Sequence, residues 1–148
     1  MSEASRALTS RVYTASASAR GGRTGKVTSD DGQLALTLAK PGSRQGTNPE
    51  QLLAAGWSAC FQSTLMALAG RAELPLTDST VTVAVALGRT TDDKWGLSAE
   101  ISVQAAGVDD AELARLIETA HQDCPFSRMA SNGIDARITT TNTSGAIS

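Results

Sequence analysis

Cysteine, histidine and aromatic residues are all scarce in this sequence. Its 148 residues include two cysteines, Cys60 and Cys124, and one histidine, His121. That set falls short of the four ligands of a structural zinc site, and no CxxC spacing occurs, so zinc is excluded. The aromatic residues are Tyr13, Trp57, Phe61, Trp95 and Phe126, and no stretch concentrates Lys or Arg. With a net charge of −2, the basic footprint of a nucleic-acid binder is missing. Internal repeats are absent too. The first twenty residues lack the apolar run of a secretory signal, which makes the cytoplasm the expected location. In that reducing compartment a pair of cysteines points to catalysis or redox chemistry before structure. A chain of 148 residues suits one domain, expected over 1–148 with frayed ends at 1–10 and 142–148.

What is present is a clear alternation of patterns. Arg11 to Ala19 alternates with Ala15, Ala17 and Ala19 on one face. Thr24–Ser29 and Gln33–Ala39 flank Asp31-Gly32, a dipeptide suited to a tight hairpin turn. These three segments are expected to form a meander. Asn48-Pro49-Glu50 reads as a helix start: Asn caps, Pro fits the first position and Glu meets the positive end of the dipole. The helix is expected to run to about Ala69 and stop at Gly70. Ser79–Leu87 and Leu97–Val103 alternate around a polar turn at Thr90–Gly96, giving an antiparallel pair. Asp109-Asp110 opens a second helix, with Ala111, Leu113, Leu116, Ile117 and Ala120 at helical spacing. It ends near Cys124, because Pro125 disfavours helical geometry in the residue before it. A last strand is expected at Ile134, Ala136 and Ile138. The order β-β-β-α-β-β-α-β is an α+β arrangement.

The first helix is unusual. From Gln51 to Gly70 it carries no charge, and Cys60 lies in its middle. Twenty such residues are long enough to span a membrane. Gln51, Ser58, Gln62, Ser63 and Thr64 dilute the stretch, however, and no second span accompanies it, so a membrane location is not expected. A helix without a polar face must be buried nearly all round. One small sheet cannot cover it, so the pattern calls for an intimate dimer. Cys60 has a plain reading as a small core hydrophobe. Cys124, at a helix end before a Pro, is the more accessible thiol. His121 lies one turn before Cys124, where it reads as solvent-facing rather than as a base.

The stretches GGRTGK (21–26), GTNPEQLLAAGWSACF (46–61) and CPFS (124–127) together resemble the organic hydroperoxide resistance proteins, a branch of the OsmC-like family of thiol peroxidases. The resemblance runs from about Tyr13 to Ile138. It implies antiparallel sheets packed around two central helices in an intertwined homodimer. It places the peroxidatic cysteine on Cys60 and the resolving cysteine on Cys124. The family's arginine, which follows a Gly-Gly pair, falls on Arg23, and the glutamate of its NPEQL run falls on Glu50. Phe126 and Trp57 stand where Tyr is common, and the loop before Gly46 is short. These departures bear on the shape of the pocket and so on substrate preference.

Elementary chemistry gives the four residues a task. The nucleophile toward a peroxide is a thiolate, free Cys has a pKa of about 8.5, and apolar burial raises it further. Cys60 lies mid-helix, beyond the help of the dipole, so it needs a cation. Arg23 would supply one, and Glu50 would hold its guanidinium. Taken alone, without the resemblance, Arg23 reads first as a surface charge and Glu50 as a helix-start acid. Glu50 and Cys60 are ten residues apart, about 15 Å of rise and on different helix faces. Either the helix bends near Gly56 or the site draws on two subunits, and the second is favoured.

The expected reaction is reduction of an organic hydroperoxide to its alcohol. Cys60 passes through a sulfenic acid to a Cys60–Cys124 disulfide. The resemblance implies that a lipoyl dithiol on a lipoylated protein (dihydrolipoamide as the electron donor) reopens the disulfide, with no metal, flavin or haem. Leu52, Leu53, Trp57 and Phe61 lie near the nucleophile, and Phe126 follows the resolving cysteine. Leu53, Trp57, Phe61 and Phe126 are the candidate substrate wall, with core packing as the plain reading for Trp57 and Phe126. A broader OsmC-like peroxidase, a thiol redox sensor and a non-catalytic binding dimer are the alternative readings.

Overall fold

The computed structural model describes residues 7–143. Three short strands, β1 (Ala17–Arg20), β2 (Lys26–Ser29) and β3 (Ala35–Thr37), form an antiparallel sheet in chain order. Ala19 pairs with Val27, and Val27 with Leu36. The expected meander is there, but shorter than the alternation suggested. Residues 11–16 carry the pattern without joining the sheet, and Val12 and Tyr13 are exposed. Leu38, beyond β3, donates its N–H to the Gly25 carbonyl and makes an isolated parallel bridge to Thr47. The hairpin turn at Asp31-Gly32 stands as expected, with Gly32 at φ 74° and the Asp31 carboxylate accepting from Ser29 Oγ and Gln33 N.

Helix α1 runs from Pro49 to Arg71. Its start is the one expected: the Asn48 side chain accepts from Gln51 N at 2.9 Å, with Pro49 in the first turn. Trp57, Phe61, Leu65 and Ala69 recur every four residues and are buried, so they form one stripe. That stripe packs on Val83, Leu116, Ala120 and Cys124. Burying Phe61 or Leu65 is worth about 1.5–3 kcal/mol each. Within one chain the burial is confined to this side. Ala55, Ala59, Ser63, Met66, Ala67 and Gly70 lie open on the opposite face. By length and composition α1 is the one candidate membrane span among the described residues, and buried core helices meet the same criterion.

Strands β4 (Thr77–Arg89) and β5 (Trp95–Ala106) form a long two-stranded ribbon, with Val83 opposite Ile101 and an irregularity between Thr77 and Thr80. The middle of β4 packs on α1. Leu87, Trp95 and Leu97 at the far end are exposed. Helix α2 (Asp110–Asp123) is capped by Asp109 in a reciprocal capping box with Glu112. Cys124 ends it in an extended conformation, φ −62° and ψ 123°, as a residue before proline should.

The chain then departs from expectation. A third helix, α3 (Pro125–Asn132), begins at once, because the proline that ends α2 is also well suited to the first position of a new helix. The strand expected at Ile134, Ala136 and Ile138 does not form, and Ile134 and Ile138 are exposed. A strand needs a neighbour's backbone to pair with, and among the described residues no strand pairs with that segment. The order among the described residues is therefore β-β-β-α-β-β-α-α. The expected frayed ends fall partly on 1–6 and 144–148, outside the described residues.

Candidate active site

Two groups of side chains converge, from different parts of the chain. The first begins in the tight turn between β1 and β2. Gly21 and Gly22 adopt positive φ, and the turn closes on itself at Gly25. A Cβ on Gly25 would stand 1.8 Å from the carbonyl oxygen of Arg20, so only glycine fits. The turn holds Arg23 out toward the start of α1, where its Nη2 donates to Glu50 Oε2 at 2.6 Å. Glu50 is mostly covered and the guanidinium is half-exposed. The hydrogen bond from Arg23, more than its charge, holds the Glu50 carboxyl below the usual carboxylate range. Beside the pair lies a cavity of about 370 Å³, whose apolar wall is Ala54 with Val83, Val85 and Leu87 of β4.

The second group lies three turns further along α1. Cys60 and Cys124 are both free thiols, but Cys124 is fully buried and Cys60 only partly so, the reverse of the accessibility expected, because the joint before Pro125 packs into the core cluster with Trp57 and Phe61. Cys60 and Phe126 both pack against the core cluster that contains Cys124. Burial first, and then the neighbouring Cys124 thiol, push Cys60 above the usual cysteine range; the Phe126 N–H acts in the opposite direction. Phe126 lies against Gly56, where a Cβ would meet its ring at 3.5 Å. Trp57 Nε1 donates to the buried Ser127 Oγ at 3.1 Å.

The sequence candidates are thus distributed as two pairs, Arg23 with Glu50 and Cys60 with Cys124. Helix α1 is continuous between them, with about 15 Å of rise from Glu50 to Cys60. Of the apolar candidates, Trp57 and Phe61 lie in the core, while Leu53 and Phe126 are partly exposed at its edge. His121 is exposed on α2, beside Arg128 and Asn132. Among the described residues no three His, Cys, Asp or Glu side chains converge to hold a metal ion. Sequence reasoning gave no role to Ser127, Gly25 or Val83. The triple glycine of GGRTG was the one signal available for the turn; the contacts of Ser127 and Val83 are long-range.

A family model described as "OsmC-like protein" matches residues 41–139. The chain belongs to the OsmC-like family. Within that family it stands among the organic hydroperoxide resistance proteins. It is 40% identical to the organic hydroperoxide resistance protein OhrA of Bacillus subtilis, over 86% of this chain and 94% of that one. Identity to the organic hydroperoxide resistance protein of Xanthomonas axonopodis pv. citri is 37%, with the same coverage. The crystal structure of the resistance protein OhrB of Bacillus subtilis superposes with a TM-score of 0.77 at 34% identity, covering 84% of this chain and 96% of that one. The fold is thus the α+β fold of OsmC-like proteins, and these relatives' names support a role in peroxide detoxification.

Proposed function

We propose that this protein is a two-cysteine peroxidase that reduces organic hydroperoxides to alcohols. The observation that carries the reading is the packing of one free thiol, Cys60, against the apolar core cluster that contains the other, Cys124. The Cys60 thiolate attacks the terminal peroxide oxygen; the O–O bond breaks and the alkoxide leaves as the alcohol. Cys60 becomes a sulfenic acid, and Cys124 condenses with it to a disulfide and releases water. A lipoyl dithiol carried on a partner protein then reduces the disulfide.

The elevated Cys60 thiol needs a cation for the first step, and among the described residues none of the groups acting on it is one. Arg23 is the candidate, positioned by Glu50. The continuous helix favours a homodimer in which the Arg23–Glu50 pair of one chain reaches Cys60 across or beside the interface. The uncovered face of α1 and the bare end of the β4–β5 ribbon are apolar surfaces that a second chain would bury. In that position Arg23 stabilises both the thiolate and the charge developing on the leaving oxygen. Leu53 and Phe126, partly buried like Cys60 at the edge of the core, favour an alkyl or fatty-acyl tail, at about 0.8 kcal/mol per buried methylene, over hydrogen peroxide.

The test is peroxide consumption with dihydrolipoamide, using tert-butyl or cumene hydroperoxide. Wild type turns over, Cys60→Ser does not, and Cys124→Ser reacts once and stops. A wild type that is idle with every thiol donor would refute the enzyme reading.

A further inference from the structure

The structure contains a buried link between the two cysteine-bearing segments that the reaction scheme does not use. Trp57 precedes Cys60 by three residues on α1, so the two share a helix face. Ser127 follows Cys124 by three residues, in the first turn of α3. Trp57 Nε1 donates to Ser127 Oγ at 3.1 Å, with Ser127 fully buried and Trp57 6% exposed. Between Cys124 and Ser127 lie Pro125, which fixes its own φ, and Phe126, whose ring lies against Gly56 of α1. Cys124 itself belongs to neither helix; it is the extended joint between α2 and α3. The Trp57–Ser127 bond therefore closes a short loop of structure that contains both sulfurs.

We propose that Trp57 and Ser127 are positioning residues for the cysteine pair. Their hydrogen bond anchors the α2–α3 joint to α1 and so sets the effective concentration of the Cys124 thiol at the Cys60 sulfur. In the peroxidase cycle this governs the second step. The Cys124 sulfur attacks the Cys60 sulfenic sulfur, the S–O bond breaks, an S–S bond forms, and the oxygen leaves as water with the Cys124 proton. A loosened joint leaves the sulfenic acid waiting, open to a second hydroperoxide that oxidises it to sulfinic acid.

This role rests on the two-cysteine reading, but it can be measured without any peroxide. In glutathione redox buffers, oxidised glutathione converts the two thiols to the disulfide and yields two reduced glutathiones. The equilibrium constant reports the effective concentration directly. Ser127→Ala and Trp57→Phe are each expected to lower it about fivefold, the factor carried by one buried hydrogen bond of ordinary strength. The double variant is expected to fall no further than either single one. Ser127→Thr keeps the hydroxyl and should stay within twofold of wild type.

Gln62→Met serves as the structural control. It removes another α1 side-chain bond, from Gln62 Nε2 to Ser79, and should destabilise the fold without moving the cysteine equilibrium. With tert-butyl hydroperoxide, Ser127→Ala should oxidise Cys60 at the wild-type rate and yield several-fold more sulfinic acid by mass spectrometry. The proposal is overturned if folded Ser127→Ala keeps the wild-type equilibrium. It is equally overturned if Gln62→Met shifts the equilibrium as far, if folded Ser127→Thr fails to restore it, or if the wild-type pair forms no disulfide. Should Trp57→Phe not fold, the two Ser127 variants decide. A wild type that consumes no peroxide yet shows the fivefold shift would sink the enzyme reading and leave the positioning role standing.

Discussion

Gly25 offers the sharpest test of whether the Arg23 turn is part of the working site. Replacing it with alanine puts a Cβ 1.8 Å from the Arg20 carbonyl oxygen and 2.7 Å from the Gly21 Cα. Non-bonded carbon sits comfortably at about 3.5 Å, so the turn must open by roughly 1.5 Å. The backbone on both sides of the clash is the turn that carries Arg23, so the guanidinium moves with it and the 2.6 Å contact to Glu50 breaks. The thermodynamic cost is modest. Overpacking costs about 1–3 kcal/mol, and the half-exposed ion pair adds less than about 1 kcal/mol. The catalytic cost is larger, because a catalytic group misplaced by about 1 Å can lose about 100-fold in rate. Gly25→Ala is thus expected to fold, with a lowered melting temperature, and to lose about 100-fold in kcat/KM toward cumene hydroperoxide. The comparison is Gly32→Ala in the β2–β3 hairpin, where φ is also positive but nothing lies within 4 Å. That change should cost about 1 kcal/mol of strain and leave turnover per folded molecule unchanged. Folded Gly25→Ala with activity within threefold of wild type would refute the assignment of Arg23.

Glu50→Gln should separate from wild type in a pH-dependent way. The folded carboxyl titrates below its unfolded value, chiefly through the Arg23 hydrogen bond. Its contribution is therefore complete above the unfolded pKa of about 4.3 and lost as pH falls through the folded one. Denaturant melts should show a gap of at most about 1 kcal/mol at neutral pH that closes in acid; a gap that widens in acid contradicts the pairing. Cys124→Ser removes the neighbouring thiol that, after burial, holds the Cys60 pKa up, and leaves the burial in place, so the thiolate absorbance of Cys60 should appear at lower pH than in wild type. An unchanged or higher titration would place the two thiols apart. Ala59→Glu puts a charge on the uncovered face of α1. Sedimentation should report a dimer for wild type and a monomer for the variant, and a variant indistinguishable from wild type would remove that face from the interface.

Features legible in the sequence were those set by neighbours in the chain. Asn48-Pro49-Glu50 started α1 where a cap, a proline and an acid belong, and the alternation of Val81, Val83 and Val85 was visible as a strand. Elements whose fate depends on distant partners were misread. Ile134, Ala136 and Ile138 have the period of a strand, but the period says nothing about whether a neighbour is available to pair with them. Pro125 was read as an end, although the same ring is equally suited to a beginning. The pairing of Arg23 with Glu50 came from resemblance, since 27 residues of chain separate them. The Trp57–Ser127 bond spans 70 residues, and neither residue type announces it.

The two halves of the site have complementary shortcomings. Cys60 sits where burial and a second thiol disfavour its reactive form, and among the described residues no cation of its own chain acts on it to correct this. Arg23 is a cation already aimed and tethered, half-exposed, with an apolar cavity beside it and no nucleophile there. The surfaces next to both, the small-residue face of α1 and the distal end of the β4–β5 ribbon, are apolar and open. Association through them would bury apolar area and bring a cation to a thiol in one event. The uncharged helix would then serve two ends: its inner stripe builds the core, and its outer face would form the interface. On this reading a monomer should fold but react sluggishly, because the step that covers α1 is also the step that makes Cys60 a thiolate.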